Sequence, residues 1–331
     1  MRKITGLHFA IIALSLALVS CAQDSGDTLD GDGKLVRNID EFNDAAAVLQ
    51  PGDEIVLANG TWADVELKLS GEGLPDQPIE VRAQEPGKVF ITGQSNLAFS
   101  GSHIVVSGLV FREGYTPTSE VISFRTSKDD LANHSRVTNT VIDDFSNPER
   151  QDGDTWVAIY GKNNRFDHNS LVNKRNKGVT LAVKMNTEDS QENDHVIEYN
   201  YFGPRQTLGS NGGETLRIGT SHYSREYSNT TVQQNYFDRT SGELEIISSK
   251  SCGNEFRGNV FFESQGTLTM RHGHYTLVEN NYFLGNRKPN TGGIRIINEN
   301  QTVRNNYIYG LTGYRFRSAL VIMNGVPNGP I

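Results

Sequence analysis

Two glutamates two residues apart give the first chemical signal in this 331-residue chain. Side chains alternate along a strand. In the phrase GELEII this sets Leu244 and Ile246 on one face and Glu243 and Glu245 on the other. In GTLTMR, Leu268 and Met270 match the apolar face, so Thr267, Thr269 and Arg271 point outward. In GGIRII, Ile294 and Ile296 point in and Arg295 points out. The earlier phrase SNGGETLRIG fits with Leu216 and Ile218 inside and Arg217 outside, which leaves Asn211 and Glu214 at the turn entering that strand. Lys250 follows Glu245 by five residues, near the exit of the same strand. Carboxylates this close repel each other unless positive charge lies between them. Carboxylate and amide oxygens together suit a hard cation such as calcium. A solvated ladder of alternating charge on a sheet face would show the same pattern.

Such a cluster needs stacked strands to assemble it, and the sequence supplies a repeat. A phrase with Asn before apolar residues recurs as VTNTVI at Asn139, FDHNSL at Asn169, IEYNYF at Asn200 and VQQNYF at Asn235. It continues as FRGNVF at Asn259, VENNYF at Asn281 and VRNNYI at Asn306. The last intervals are 24, 22 and 25 residues, and the earlier ones 30, 31 and 35, which implies loops inserted into a common coil. A second phrase opens on Gly178, Gly213, Gly242, Gly266 and Gly292. One coil cannot bury its apolar face alone, so coils must stack. Repeated Asn at one turn then predicts a ladder of side-chain hydrogen bonds. The expected fold is an all-β, right-handed parallel β-helix. Tyr201, Tyr236, Tyr282 and Tyr307 recur at one position and are expected to stack in or beside the core. Before the strands, Ile39, Phe42, Ala46 and Leu49 share a helical face ended by Pro51-Gly52, which predicts a short N-terminal helix capping the solenoid.

Arg2 and Lys3 precede an apolar stretch, Leu7 to Val19, too short to cross a bilayer comfortably. It ends in Leu18-Val19-Ser20-Cys21, which resembles a bacterial lipoprotein signal and makes Cys21 the site of a lipid anchor. The expected organisation is a signal peptide over 1–20, a flexible tether over 21–34 and one solenoid domain over 35–331. The expected location is exported: the outer membrane, the periplasm or the cell surface. A net charge of −8 argues against nucleic-acid binding, so any acidic ligand must be met by local positive charge.

The phrases NGGETLRIG, ELEIISSKS, TLTMRHG and GGIRIIN, in this order and spacing, resemble polysaccharide lyase family six, which contains alginate lyases and chondroitinase B. NKGVTLAV and ALVIMNGVPN agree, and the resemblance runs from about residue 35 to the C-terminus. It implies calcium as cofactor, held by Asn211, Glu243 and Glu245, with Glu214 a less supported ligand. It implies Lys250 as Brønsted base and Arg271 as acid. His272 and Arg295 match positions that help hold the substrate, and Arg217 on the neighbouring strand is grouped with them. The implied reaction is β-elimination at the uronates of an acidic polysaccharide, alginate first, leaving a 4,5-unsaturated sugar. Lys250 would act as a neutral amine, a form favoured by repulsion from calcium and Arg271. The competing expectations are a dermatan-sulfate lyase of the chondroitinase B type and a non-catalytic glycan-binding lipoprotein. His272 and His274 lack a third nitrogen or sulfur ligand for zinc. Asp143-Asp144 lies coils upstream of the cluster. The chain stops at VIMNGVPNGPI, inside repeating sequence, so a C-terminally incomplete domain is expected.

Overall fold

Each sequence repeat forms one coil of three short strands. In one coil these are Val196–Glu198, Tyr201–Phe202 and Leu216–Ile218. In the next they are Thr231–Gln233, Tyr236–Asp238 and Glu245–Lys250, and in the one after, Glu255–Arg257, Val260–Phe262 and Thr267–His272. The computed structural model describes residues 33–325, and in them the coils stack into two eleven-stranded sheets and one ten-stranded sheet. Neighbouring strands within the sheets run parallel, as between Val232 and Phe256, Phe237 and Phe261, and Ile247 and Leu268. This is the expected parallel β-helix, wound in the right-handed sense that parallel crossovers take. The signal expected over 1–20 and the tether expected over 21–34 lie, up to residue 32 and with Cys21, outside the described residues, as do residues 326–331, and Lys34 already opens the first strand.

The core is made of like residues stacked rung upon rung. Phe202, Phe237, Phe261 and Phe283 form one column, with successive ring centroids 4.8, 4.7 and 4.6 Å apart and nearly parallel planes. Each ring is essentially buried, worth about 1.5–3 kcal/mol apiece.

The corner beside this column carries the Asn ladder. The Asn235 side-chain amide donates to Asn259 Oδ1 at 3.0 Å, and Asn259 does the same to Asn281 at 3.0 Å. Each Oδ1 also accepts the backbone N–H of the Asn one coil earlier, as in Asn200 N to Asn235 Oδ1 at 3.0 Å. The ladder runs from Asn169 to Asn306. Asn139 is not in it. Thr140 takes that rung, its N–H donating to Asn169 Oδ1 at 2.9 Å. Asn139 instead occupies the preceding left-handed position (φ 49°), shared with His168, Tyr199, Gln234, Asn280 and Asn305. The first phrase is therefore offset by one residue from the others.

The helix forms over Ile39–Ala46, capped by Asn38, whose side chain accepts from Glu41 N at 2.9 Å. Phe42 and Ala45 are buried, and Ile39, Ala46 and Leu49 pack on the same core. The repeated tyrosines stack beside the core, Tyr201 on Tyr236 with ring centroids 6.0 Å apart and Tyr282 against Tyr307 at 6.1 Å. Tyr201, Tyr236, Tyr282 and Tyr307 are 36–53% exposed, because the core position is the next one along, held in the first three by Phe202, Phe237 and Phe283.

Candidate active site

The glutamate pair sits where a strand loses its simple alternation. Glu245–Lys250 and Thr267–His272 pair with two irregularities. Glu245 is opposite Thr267 and Ile247 opposite Leu268, so Ile246 is an extra residue on the first strand. Ser249 is opposite Met270 and Lys250 opposite His272, so Arg271 is an extra residue on the second. Bulges of this kind re-aim side chains and strengthen local twist. The expectation that Leu244 and Ile246 alternate inward is corrected accordingly. Ile246 and Ile247 both enter the core, and Leu244 stays at the edge. Ile247 then continues the column Leu216–Ile247–Leu268–Ile294, and the outward row beside it reads Arg217–Ser248–Thr269–Arg295.

Outside this sheet lies a cleft of about 600 Å³, lined by Asn211, Glu214, Arg217, Glu243, Glu245, Lys250 and Arg271. Seven of the nine expected residues therefore meet in one depression. Arg295 supports it from the side. It is 7% exposed, its Nη1 donates to Glu245 Oε1 at 3.2 Å, and its guanidinium lies 4.6 Å over the Phe316 ring. His272 borders the cleft, with Nε2 3.0 Å from Ser221 Oγ. Burial, then Arg271 and Lys250, push it down to about 4, which leaves the ring neutral near pH 7.

The carboxylates differ in their partners. Glu245 accepts from Ser248 Oγ at 2.5 Å and Arg295 at 3.2 Å, with Arg271 Nε at 3.5 Å. Glu243 Oε2 accepts the N–H groups of Gly212 and Gly213 at 3.0 and 3.1 Å. Burial, then the neighbouring Glu214 and Glu245, nonetheless raise Glu243 to about 7. Glu214 is 6% exposed, and its Oε2 is buried without a hydrogen-bond partner. Lys250 lines the cleft with no ion-pair or hydrogen-bond partner among the described residues.

These donors suit a hard cation. An orphaned carboxylate oxygen and a neighbouring carboxyl raised by burial and then by like charge are what such an ion relieves, and an Asn on the same wall offers it a further oxygen. Among the described residues no three His, Cys, Asp or Glu side chains are grouped as a metal cage by themselves. The Asn211 carbonyl and solvent oxygens would therefore complete the shell. Arg317 also lines the cleft, from a short 3-10 turn at Arg315–Arg317, with its Nε buried and unpartnered. It lies outside the repeating phrases, so strand alternation held no signal for it.

The fold and cleft define a parallel β-helix with a charged site on one sheet. The family model described as Chondroitinase B matches residues 36–331. The chain is 62% identical to the PL6 family alginate lyase AlyGC, with a TM-score of 0.88 over 89% of this chain and 41% of that one. It is 37% identical to a mannuronic acid specific polysaccharide family 6 lyase from human gut microbiota, with a TM-score of 0.82 over 88% of this chain and 66% of that one. A PL6 alginate lyase in complex with a trisaccharide is 28% identical, with a TM-score of 0.73 over 86% of this chain and 61% of that one. The search of curated proteins returned no match. The chain belongs to the chondroitinase B family, polysaccharide lyase family six. It spans about two fifths of the length of AlyGC.

Proposed function

We propose that this chain cleaves alginate by β-elimination, with Lys250 as the base. The observation that carries this reading is the position of Lys250, unpaired among the described residues, in the same cleft as Arg271 and the glutamates. Arg217, Arg271 and Arg317 supply local positive charge for a uronate carboxylate, although the chain as a whole is acidic. The neutral amine of Lys250 takes the proton from C5. The C5–H electron pair becomes the C4–C5 double bond as the C4–O4 bond breaks. Arg271 sits near the leaving oxygen, where it donates a proton or orients a water that does. Neutral His272 and the Glu245-bound Arg295 hold the sugar and the cluster in register. Asn211, Glu243, Glu245 and Glu214 would hold calcium. An ion held there would supply positive charge to neutralise the uronate carboxylate, which would acidify C5.

The family model bears the name of chondroitinase B, so dermatan sulfate is the competing substrate. The deciding assay incubates the protein with alginate, its mannuronate and guluronate blocks, and dermatan sulfate, and follows ultraviolet absorbance of the unsaturated product. Fastest turnover on alginate supports the reading. Turnover on dermatan sulfate alone replaces alginate as substrate, and turnover on none removes the lyase assignment. With Leu18-Val19-Ser20-Cys21 as a lipoprotein signal, the enzyme works outside the cytoplasm, where such polymers are met.

A further inference from the structure

Behind the cleft wall lies a buried arginine that the reaction does not use. Arg205 follows Gly203-Pro204 at the exit of Tyr201–Phe202 and is 3% exposed. Its Nη1 donates to Glu214 O at 2.6 Å and Thr180 Oγ1 at 3.1 Å. Its Nη2 donates to Gly178 O at 2.6 Å, Gly212 O at 3.2 Å and Asn176 O at 3.3 Å. Its own backbone bonds forward to the next coil, with Ser241 N donating to Arg205 O at 2.9 Å. The side chain thus ties its own coil to the preceding one at the level of the site, and the backbone carbonyl links both to the next.

Every one of those acceptors is a neutral oxygen. Burying a full charge against neutral partners is unfavourable unless a field elsewhere offsets it. The charges it feels are Glu214 first, then Glu243 and Asp154. Two of these three are cleft carboxylates, so the guanidinium places positive potential behind the wall that carries them. The contacts reach the same groups. Arg205 grips the carbonyls of Gly212 and Glu214, while the amides of Gly212 and Gly213 point at Glu243. Gly242, which leads the chain into Glu243, lies against it as well. A Cβ there would come within 3.0 Å of Arg205 Cδ and Nε and 2.1 Å of Gly213 O.

We propose that Arg205 is a positioning residue, whose buried guanidinium locks the Asn211–Glu214 turn to the preceding coil and holds that turn and Glu243 in register for a divalent cation. The cation part rests on the calcium reading above. The locking part stands on the hydrogen bonds alone, and the experiment separates the two.

The full chain is compared with Arg205→Gln, Arg205→Lys and the core variant Phe283→Leu by hydrogen exchange, calorimetric calcium titration and thermal melting. In Arg205→Gln, exchange of the 211–214 amides should rise at least about tenfold, with no comparable rise in strands away from the site. Calcium affinity should fall at least about tenfold. Arg205→Lys keeps the charge with fewer donors, so it should lie between parent and Arg205→Gln in both readouts, and it serves if the Gln variant fails to fold. Phe283→Leu should lower the melting temperature and leave calcium affinity unchanged, which separates positioning from general destabilisation. Unchanged 211–214 exchange in a folded Arg205 variant overturns the proposal. Calcium affinity within twofold of a calcium-binding parent overturns the cation part. A parent that binds no calcium overturns the cation part along with the calcium reading, and exchange then decides the locking part.

Discussion

Replacing Glu243 by Gln turns the electrostatics of the cleft into a measurement. Glu243 titrates at about 7 against an ordinary 4.5, with burial the main cause and Glu214 and Glu245 adding to it. A displacement of that size corresponds to about 3 kcal/mol against ionisation. The side chain is partly exposed, so screening reduces this to about 1–2 kcal/mol. The sign follows from the raised value. The protonated acid is favoured in the fold, so its contribution is complete below about 4.5 and is lost as pH climbs through about 7. Gln keeps the shape, still accepts from Gly212 and Gly213, and never ionises. In chelator, Glu243→Gln should therefore gain on the parent between about pH 5 and about pH 8, by a few degrees of melting temperature. Saturating calcium at the higher pH should stabilise the parent strongly and the variant weakly, since an ion that binds only the folded state stabilises by mass action. The assay is differential scanning calorimetry across pH, with and without calcium. A melting difference that stays flat or shrinks with rising pH would refute the reasoning.

Lys250→Ala should lose at least about a hundredfold in turnover, within the usual range for a general base, while oligosaccharide and calcium binding persist; near-parental turnover in steady-state assays would rule Lys250 out. Glu245→Gln should weaken calcium binding, so that part of the lost activity returns as calcium is raised, whereas no calcium concentration should restore Lys250→Ala. Asn235→Ala removes the partner of Asn200 N and Ile197 O, and with buried polar groups left unpaired it should cost about 2–4 kcal/mol in chemical denaturation. Cys21→Ala should abolish palmitate labelling of the chain expressed in a Gram-negative host, and persistent labelling would remove the proposed lipid anchor.

The repeat made the fold legible because a stacked coil must put like residues at like positions, and Asn, Phe and Gly recur in the same order in coil after coil although the intervals range from 22 to 35 residues. What it hid was register. VTNTVI places Asn139 where the other phrases place His168 or Tyr199, and only the hydrogen bond from Thr140 N to Asn169 shows the slip. Alternation likewise brought Glu243, Glu245, Arg217 and Arg271 to one surface, yet it could not show that Ile246 and Arg271 are bulged residues. A bulge adds one residue without changing the apolar pattern around it. Arg295 read as outward and it is, but stacking under Phe316 and Glu245 buries it. Arg205 and Arg317 were invisible because each acts from a turn, where no period constrains which way a side chain points. The exposed tyrosines mark the limit of composition: an aromatic at a repeated position reads the same whether it lines the core or flanks it.

The Asn ladder also separates what must stay constant in this molecule from what can change. It locks each corner to the next through side-chain amides, whatever length of chain intervenes before the coil returns. The longest interval between ladder residues, 35 residues from Asn200 to Asn235, contains Thr207, Gly209, Ser210, Asn211 and Gly212 on the cleft wall. Most of that interval is loop, so lengthening it adds little closure entropy and disturbs no rung. The solenoid therefore works as a chassis with an adjustable jaw. Inserting residues at the exposed Gly209-Ser210 step, beyond the buried Leu208 whose N–H donates to Gly242 O, is the natural way to redesign which polymer the cleft admits, leaving the glutamates, Lys250 and the aromatic column where they are.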